Sequence, residues 1–241
     1  MVTPLASRNA SFHEQGIAGA LLAPLKWFCV SVLVVLGLIL AAWIIDWIFV
    51  FNVWPEGVVR LQSILDQDLA RTTQMECWCN DLPKLAAGTA NFLYASLFKA
   101  TGIHDMGARF ADAASLSIPD TIVRNTYIVN FEAIRVAMVG TQLFGVRIAT
   151  LIMVIPLLVL VYGVALTDGL VQRLIRRAGG GHESASLYHR AKHLQLLLLM
   201  TNGAGSLLLP ESIDLRSIFL PSVILLATLA RIQWAYYKKH L

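Results

Sequence analysis

The chain has 241 residues, of which 57% are hydrophobic and 14% are charged, and its mean hydropathy is +0.65. One soluble domain of ordinary composition cannot bury this much apolar side chain, and so few charges are incompatible with a disordered chain. Three cysteines exclude a small secreted fold held by a disulfide framework. The net charge of +4 does not indicate nucleic-acid binding, because membrane proteins gather Lys and Arg on their cytoplasmic side. We therefore expect an all-α integral membrane protein.

Four uncharged apolar runs predict four transmembrane helices. The first, from Trp27 to Ile45, and the second, from Ile148 to Thr167, can each cross a hydrocarbon core of about 30 Å at about 1.5 Å per residue. A cleaved signal peptide is the alternative for the first run, but that run is longer than a typical signal-peptide core. The last two runs are shorter, so they form either a hairpin of two full spans or a re-entrant or tilted pair. The spans are placed at residues 27–47, 147–167, 194–210 and 217–234.

The positions of the cations predict the orientation of these spans. Five Lys and Arg residues lie in the loop 168–193, and three more lie at the C-terminal end of the chain. Basic segments next to spans face the cytoplasm, so this loop and both termini are expected inside. The cytoplasmic parts are then 1–26, 168–193 and 235–241, and the outer parts are 48–146 and the turn 211–216.

The outer segment between the first and second spans is predicted to be helical. From Val58, apolar residues recur at intervals of three and four, which is the period of an α-helix. A second helix is predicted from Leu82 to about Ala100. A third begins near Ser117, and we expect it to continue without a break into the second span. These helices form either a small cap or an oligomer interface.

Two charged residues lie at the edges of the first two spans. Asp46 ends the first and Arg147 begins the second, and both are expected near the outer boundary. A charge inside a membrane segment usually has a partner or a function, so the two form either an ion pair or two independent contacts with the interface. No other ionisable residue lies at mid-depth, which argues against an ion-coupled transporter.

Three short motifs favour structural roles over chemistry. Cys77 and Cys79 are separated by one residue, whereas a thioredoxin-like motif needs two, so we expect free or intermolecularly paired thiols. His189 and His193 have the spacing of metal ligands, but Arg190 and Lys192 between them oppose metal binding. No phosphate-binding loop of the Walker type is present. We expect no metal, no cofactor and no enzymatic activity.

The stretch from Leu166 to Arg177, continuing through Gly181 to Glu183 and Tyr188 to Lys192, resembles a family of membrane proteins of integrating conjugative elements and related plasmids. The resemblance extends more loosely to Trp54-Pro55-Glu56, to Leu220-Pro221-Ser222 and to the terminal Lys238-Lys239-His240-Leu241. His182 departs from the family pattern, in which Arg is expected.

The resemblance implies a role in conjugative DNA transfer. Members of this family are typically encoded beside the TraD-type coupling ATPase of a type IV secretion system, and they are similar to plasmid TraJ-like proteins implicated as its membrane partner. By resemblance the chain is a non-enzymatic component of the bacterial inner membrane, with its outer segment in the periplasm. Its expected partners are membrane lipids, the coupling ATPase and other copies of itself, and no sequence-specific nucleic-acid binding is expected. The residues expected to bind a partner or to support folding are Asp168, Arg173, Arg176, Arg177, Glu183, Tyr188, His189 and Arg190.

A self-assembled membrane pore or channel is the alternative function. A pore needs a polar stripe along a span, but the stretch from Ile148 to Leu166 offers only Thr150 and Tyr162. A membrane-bound enzyme ranks third, because no nucleophile and base lie together at one depth.

Overall fold

The computed structural model describes residues 6–74, 81–111, 118–180, 185–212 and 214–237. Within these ranges every regular element is helical, which confirms the all-α prediction. The helices are α1 (Ala6–Asn52), α2 (Val58–Gln74), α3 (Leu82–Tyr94), α4 (Ile103–Ala111), α5 (Ile118–Val129), α6 (Phe131–Ala178), α7 (Ala185–Leu208) and α8 (Leu215–Ala235), and a π-helical turn at Ala95–Lys99 follows α3 directly.

The chain divides into two compact units, residues 1–41 and 42–241. The described part of the first unit is helical and belongs to α1. The apolar side chains from Trp27 to Leu36 are exposed, with Trp27 at 72% and Leu33 at 68%, whereas Ile39 is buried. An apolar helix with no protein cover needs lipid or a partner around it, as a membrane-spanning helix does.

The core of the second unit lies where α2 and α3 pack against the first half of α6. Leu61 and Ile64 of α2 are fully buried there, together with Val136 and Val146 of α6. This face of α2 is the stripe that its three-and-four spacing predicted. Asp66 of the same helix is exposed, whereas Asp68 faces α6. The predicted start of α3 at Leu82 is confirmed. Pro55 was expected at the first helical position of α2, but residues 55–57 form a turn and the helix begins at Val58.

Three helical segments have the length and apolar composition to cross a membrane: Lys26–Asn52, Phe131–Ala178 and Ser217–Ala235. They correspond to the first, second and fourth predicted spans. The predicted third span lies in α7 and is not among the three, because polar residues such as Gln195 and Asn202 lower the mean hydropathy of that helix. At 48 residues, α6 is about 72 Å long and extends well beyond any hydrocarbon core.

Two local predictions were wrong. The helix expected to run unbroken into the second span is interrupted at Asn130, whose φ of −101° and ψ of 12° separate α5 from α6. The helix α4 was not predicted, since no helix was expected between about Ala100 and Ser117. Beyond Asp168, α6 stays helical to Ala178, because no residue before Gly179 breaks the helix.

Candidate functional site

Arg147 of α6 forms a buried polar junction with α2 and with the end of α7. Its side chain is only 7% exposed, and its Nε donates to Asp68 Oδ2 of α2 at 3.2 Å. Its Nη2 donates to the carbonyl oxygen of Glu211 at 3.0 Å, and its Nη1 donates to the carbonyl oxygen of Leu209 and, at 3.5 Å, to that of Leu207. One guanidinium therefore reaches three backbone carbonyls and one carboxylate.

The other oxygen of Asp68 completes this junction. Ser212 lies in the turn between α7 and α8, and its Oγ donates to Asp68 Oδ1 at 2.6 Å. The last carbonyl oxygens of a helix lack hydrogen-bond donors within the helix, and here the guanidinium of Arg147 donates to the carbonyl oxygen of Leu207 in the last turn of α7. We call Arg147, Asp68, Ser212 and the three carbonyls the Arg147 junction. It fastens the α7–α8 turn to α2 and to α6.

Asp46 lies beside Gly140 and has a different environment from the one suggested by the sequence. The carboxylate is buried, and a Cβ at Gly140 would come within 2.5 Å of Asp46 Oδ2. One turn earlier, Trp43 Nε1 donates to Thr141 Oγ1 at 3.0 Å. The carboxylate that Arg147 contacts in the described structure is that of Asp68, not that of Asp46. Both Asp46 and Arg147 are buried.

A second polar contact joins α6 to α8 further along α6. Asp168 Oδ2 lies 2.5 Å from Arg231 Nε, and about half of each side chain is exposed. Directly beside this pair, Gly169 allows the two backbones to approach, because a Cβ there would lie 2.8 Å from the carbonyl oxygen of Arg231 and 2.8 Å from Trp234 Cβ. Asp168 therefore marks the point where α6 and α8 cross closely.

Two of the predicted arginines pack on tyrosines at the end of α8. The guanidinium of Arg176 lies 3.8 Å from the centre of the Tyr236 ring, and its Nη1 donates to the carbonyl oxygen of Ala235 at 3.1 Å. Arg173 lies 5.2 Å from the centre of the Tyr237 ring. Such cation–π contacts contribute about 0.5–2 kcal/mol each. They hold the last turn of α8 against the end of α6.

The same cluster includes the start of α7. The rings of Tyr188 and Tyr237 meet at a centroid distance of 5.6 Å in an edge-to-face arrangement, and Tyr188 also contacts His189. We call Arg173, Arg176, Tyr188, Tyr236 and Tyr237 the Arg–Tyr cluster. These contacts bring together four of the eight predicted site residues in one region built from α6, α7 and α8, namely Arg173, Arg176, Tyr188 and His189. Asp168 lies nearby on α6.

Two other predicted residues face outward. Arg177 lies in the last turn of α6 and Arg190 lies in the second turn of α7, and both are exposed. Glu183 and the neighbouring His182 lie outside the described residues, as do Cys77 and Cys79. Among the residues that the structure describes, no three His, Cys, Asp or Glu side chains converge.

Sequence reasoning missed the partners of the predicted residues. Asp68 and Ser212 were not singled out, and neither were Tyr236 and Tyr237 as ring partners of the arginines. The available signal was weak: Arg147 sits at the start of an apolar run and needs a counter-charge, but several acids of the outer segment could supply it.

The fold and the two polar contact regions define an all-helical protein whose α6 is long and apolar enough to cross a membrane and is bound to neighbouring helices at both ends of its apolar run. Residues 53–238 match the family described as "IncC plasmid conjugative DNA transfer protein DtrJ-like". The match covers more than half of the chain, so the chain belongs to the DtrJ-like family of conjugative DNA transfer proteins. Comparison with curated proteins and with solved structures gave no match.

Proposed function

We propose that this protein is a non-enzymatic inner-membrane component of a conjugative type IV secretion system, where it acts as partner or scaffold of the coupling ATPase. The observation that carries the proposal is the family match, which spans the outer helices, α6, α7 and α8 together. In this role the chain supplies binding surfaces and membrane anchorage, and the ATPase supplies the chemistry.

Four spans with both termini in the cytoplasm are part of this proposal. The Arg147 junction supports it, because it holds the α7–α8 turn at the level of the outer helix α2. At the other end of the same stretch of α6, Asp168 pairs with Arg231 of α8. Because α7 and α8 run between the Arg147 junction and the level of the Asp168–Arg231 pair, they cross the same layer that α6 crosses. The α7–α8 hairpin then spans the membrane, and the segment around α2 is periplasmic.

Labelling of introduced cysteines tests this topology. In a background in which Cys29, Cys77 and Cys79 are replaced by serine, Asp66→Cys and Glu211→Cys are expected to react with a membrane-impermeant maleimide added outside intact spheroplasts. Arg177→Cys is expected to react only after the membrane is permeabilised. Reaction of positions 211 and 177 from the same side would refute the hairpin.

The proposed contact with the coupling ATPase lies on the exposed cations beside the Arg–Tyr cluster. Arg173 and Arg176 are held by the tyrosines of α8, so their replacement would disturb the packing of the protein itself. Arg177 and Arg190 are exposed at the cytoplasmic ends of α6 and α7 and present charge outward. Attraction between such cations and acidic residues of a partner protein raises the association rate and sets the orientation of binding.

Charge reversal at the two exposed arginines is expected to weaken this contact. The double variant Arg177→Glu/Arg190→Glu should reduce co-purification of the coupling ATPase from detergent extracts by at least about tenfold, since about 1.4 kcal/mol of lost binding has that effect. The measurement is the ratio of ATPase to bait after affinity capture, with equal amounts of bait.

The matched control reverses two exposed charges on the other side of the protein. Lys84→Glu/Lys99→Glu makes the same change in net charge on α3 and its π-helical turn, and it is expected to leave recovery unchanged. Equal recovery with both double variants would remove the cytoplasmic ends of α6 and α7 from the contact.

A further inference from the structure

Asp46 is a buried acid at the contact between α1 and α6. The residue is 4% exposed, and its Oδ2 lies directly against the backbone of α6, where the absent side chain of Gly140 leaves room for it. Within the described part of the chain, its carboxyl group accepts no hydrogen bond and forms no ion pair. The fold therefore buries this acid without the partners that a charged group needs.

The hydrogen-bond donors beside this carboxyl group are already in use. Trp43 Nε1, one turn earlier on α1, donates to Thr141 Oγ1 at 3.0 Å. Thr141 in turn donates its single hydroxyl hydrogen to the carbonyl oxygen of Ala137 at 2.7 Å. Neither the indole nor the hydroxyl has a donor left for Asp46.

The cations of the surrounding elements are engaged elsewhere or exposed. On α1, residues 27–52 contain no Lys, Arg or His. On α6, Arg147 lies two turns beyond Gly140, and its guanidinium is bound within the Arg147 junction. Across the Trp43 ring, which meets Phe98 at a centroid distance of 6.0 Å, lie α3, its π-helical turn and α4. The other titratable groups of these elements near the contact are exposed or bonded to other groups, namely Glu132, Arg135, Tyr94, Lys99 and His104.

A carboxylate ion at this position would be a buried charge with neither a counter-charge nor a donor. Transfer of such an ion out of water is strongly unfavourable, and a buried acid avoids the penalty by taking up a proton. A metal cation is a poor substitute for the proton, because it requires several oxygen ligands. Among the residues that the structure describes, no three acidic, His or Cys side chains converge to supply them.

We infer that Asp46 is a proton-binding site and that the bound proton allows α1 to pack on α6 at Gly140. The neutral carboxyl group fits this contact without a counter-charge. The proton comes from water and returns to water, because every neighbouring acid and base described above is bonded elsewhere or exposed. Asp46 thus differs from Asp68, whose negative charge is stabilised by Arg147.

Infrared spectroscopy of the full chain tests this inference, because a protonated carboxyl group absorbs separately from an ionised carboxylate. The protein is studied in a detergent without ester groups, since ester carbonyls absorb in the same region. At neutral pH, the unsubstituted chain is expected to show a protonated-carboxyl band that shifts in heavy water. Asp46→Asn introduces an uncharged group of nearly the same shape, and it is expected to remove that band.

Two other acids provide matched controls. Asp66→Asn removes an exposed carboxylate on α2 and should reduce only the carboxylate absorption. Asp68→Asn removes the carboxylate that Arg147 contacts, and it should lower the denaturant fraction at the midpoint of unfolding. Asp46→Asn should leave that midpoint unchanged, since an amide then replaces a group that is already neutral.

Three results would overturn the inference. The first is the absence of a protonated-carboxyl band from the unsubstituted chain at neutral pH. The second is a band that persists in Asp46→Asn. The third is a loss of stability in Asp46→Asn as large as that in Asp68→Asn, including failure to fold, since the fold would then require the charge of Asp46. Failure of the ATPase contact alone leaves these spectra unchanged, so the two proposals fail separately.

Discussion

Replacement of Arg147 by methionine is expected to lower the free energy of unfolding by about 3–5 kcal/mol, which is the largest effect of any substitution proposed for this chain. Methionine fills a similar volume but leaves Asp68 buried without its cation, and it leaves the carbonyls at the end of α7 without a donor. Reversible unfolding in mixed micelles, with dodecyl sulphate as denaturant and far-ultraviolet circular dichroism as readout, measures the loss.

A second arginine on α6 serves as a control that separates the loss of the buried contacts of Arg147 from the general effect of removing an arginine. Arg135→Met removes a contact with Gln62 Oε1 on the exposed part of α6, and it is expected to cost about 1 kcal/mol or less. In a double-mutant cycle, Asp68→Asn/Arg147→Met should cost less than the sum of the two single variants by about 0.5–3 kcal/mol. If Arg147→Met and Arg135→Met lowered the free energy of unfolding equally, the buried contacts of the Arg147 junction would not stabilise the protein more than an exposed contact does.

Periodicity located the helices where one face is buried against a neighbour. The stripe that begins at Val58 predicted α2, because its pattern repeats over several turns. The central part of α6 was predicted differently, from the length of the uncharged apolar run that begins at Ile148. The break at Asn130 was missed for a different reason. Asparagine is tolerated within a helix at a cost well below 1 kcal/mol, so a single one in the sequence does not predict an interruption.

The candidate site could also be predicted from the sequence only in part. Arg173 and Arg176 are one turn apart on α6, and their common face was visible in the sequence. Their ring partners lie about 60 residues later, and the pairing depends on how α8 packs on α6. For Arg147 the need for a partner could be predicted, but the choice of Asp68 over Asp46 follows from the packing of α2 on α6, which one sequence does not encode in any local pattern.

The role of a glycine is especially hard to predict from the sequence, since it depends on which residues of a neighbouring helix pack against that glycine. Gly145 and Gly163 are both inside α6 and look alike in the sequence, yet only Gly145 lies against another backbone. A glycine at a close helix contact is needed for the approach, whereas an exposed one within a helix costs stability relative to alanine.

Gly145→Ala is therefore expected to destabilise the protein by about 1–3 kcal/mol, because the added Cβ would lie 2.6 Å from the Cα of Ala90 and 2.8 Å from its backbone nitrogen. Neither atom belongs to a side chain that can rotate away, so α3 has to move from α6, which also weakens the 2.8 Å bond from Thr89 Oγ1 to the carbonyl oxygen of Gly145. Gly163→Ala is the matched control on the same helix, where a Cβ meets nothing within 4 Å, and it is expected to be neutral or stabilising by about 1 kcal/mol or less. Unfolding of both variants in mixed micelles checks the difference, and equal stability of the two would mean that α3 does not pack on α6 at Gly145.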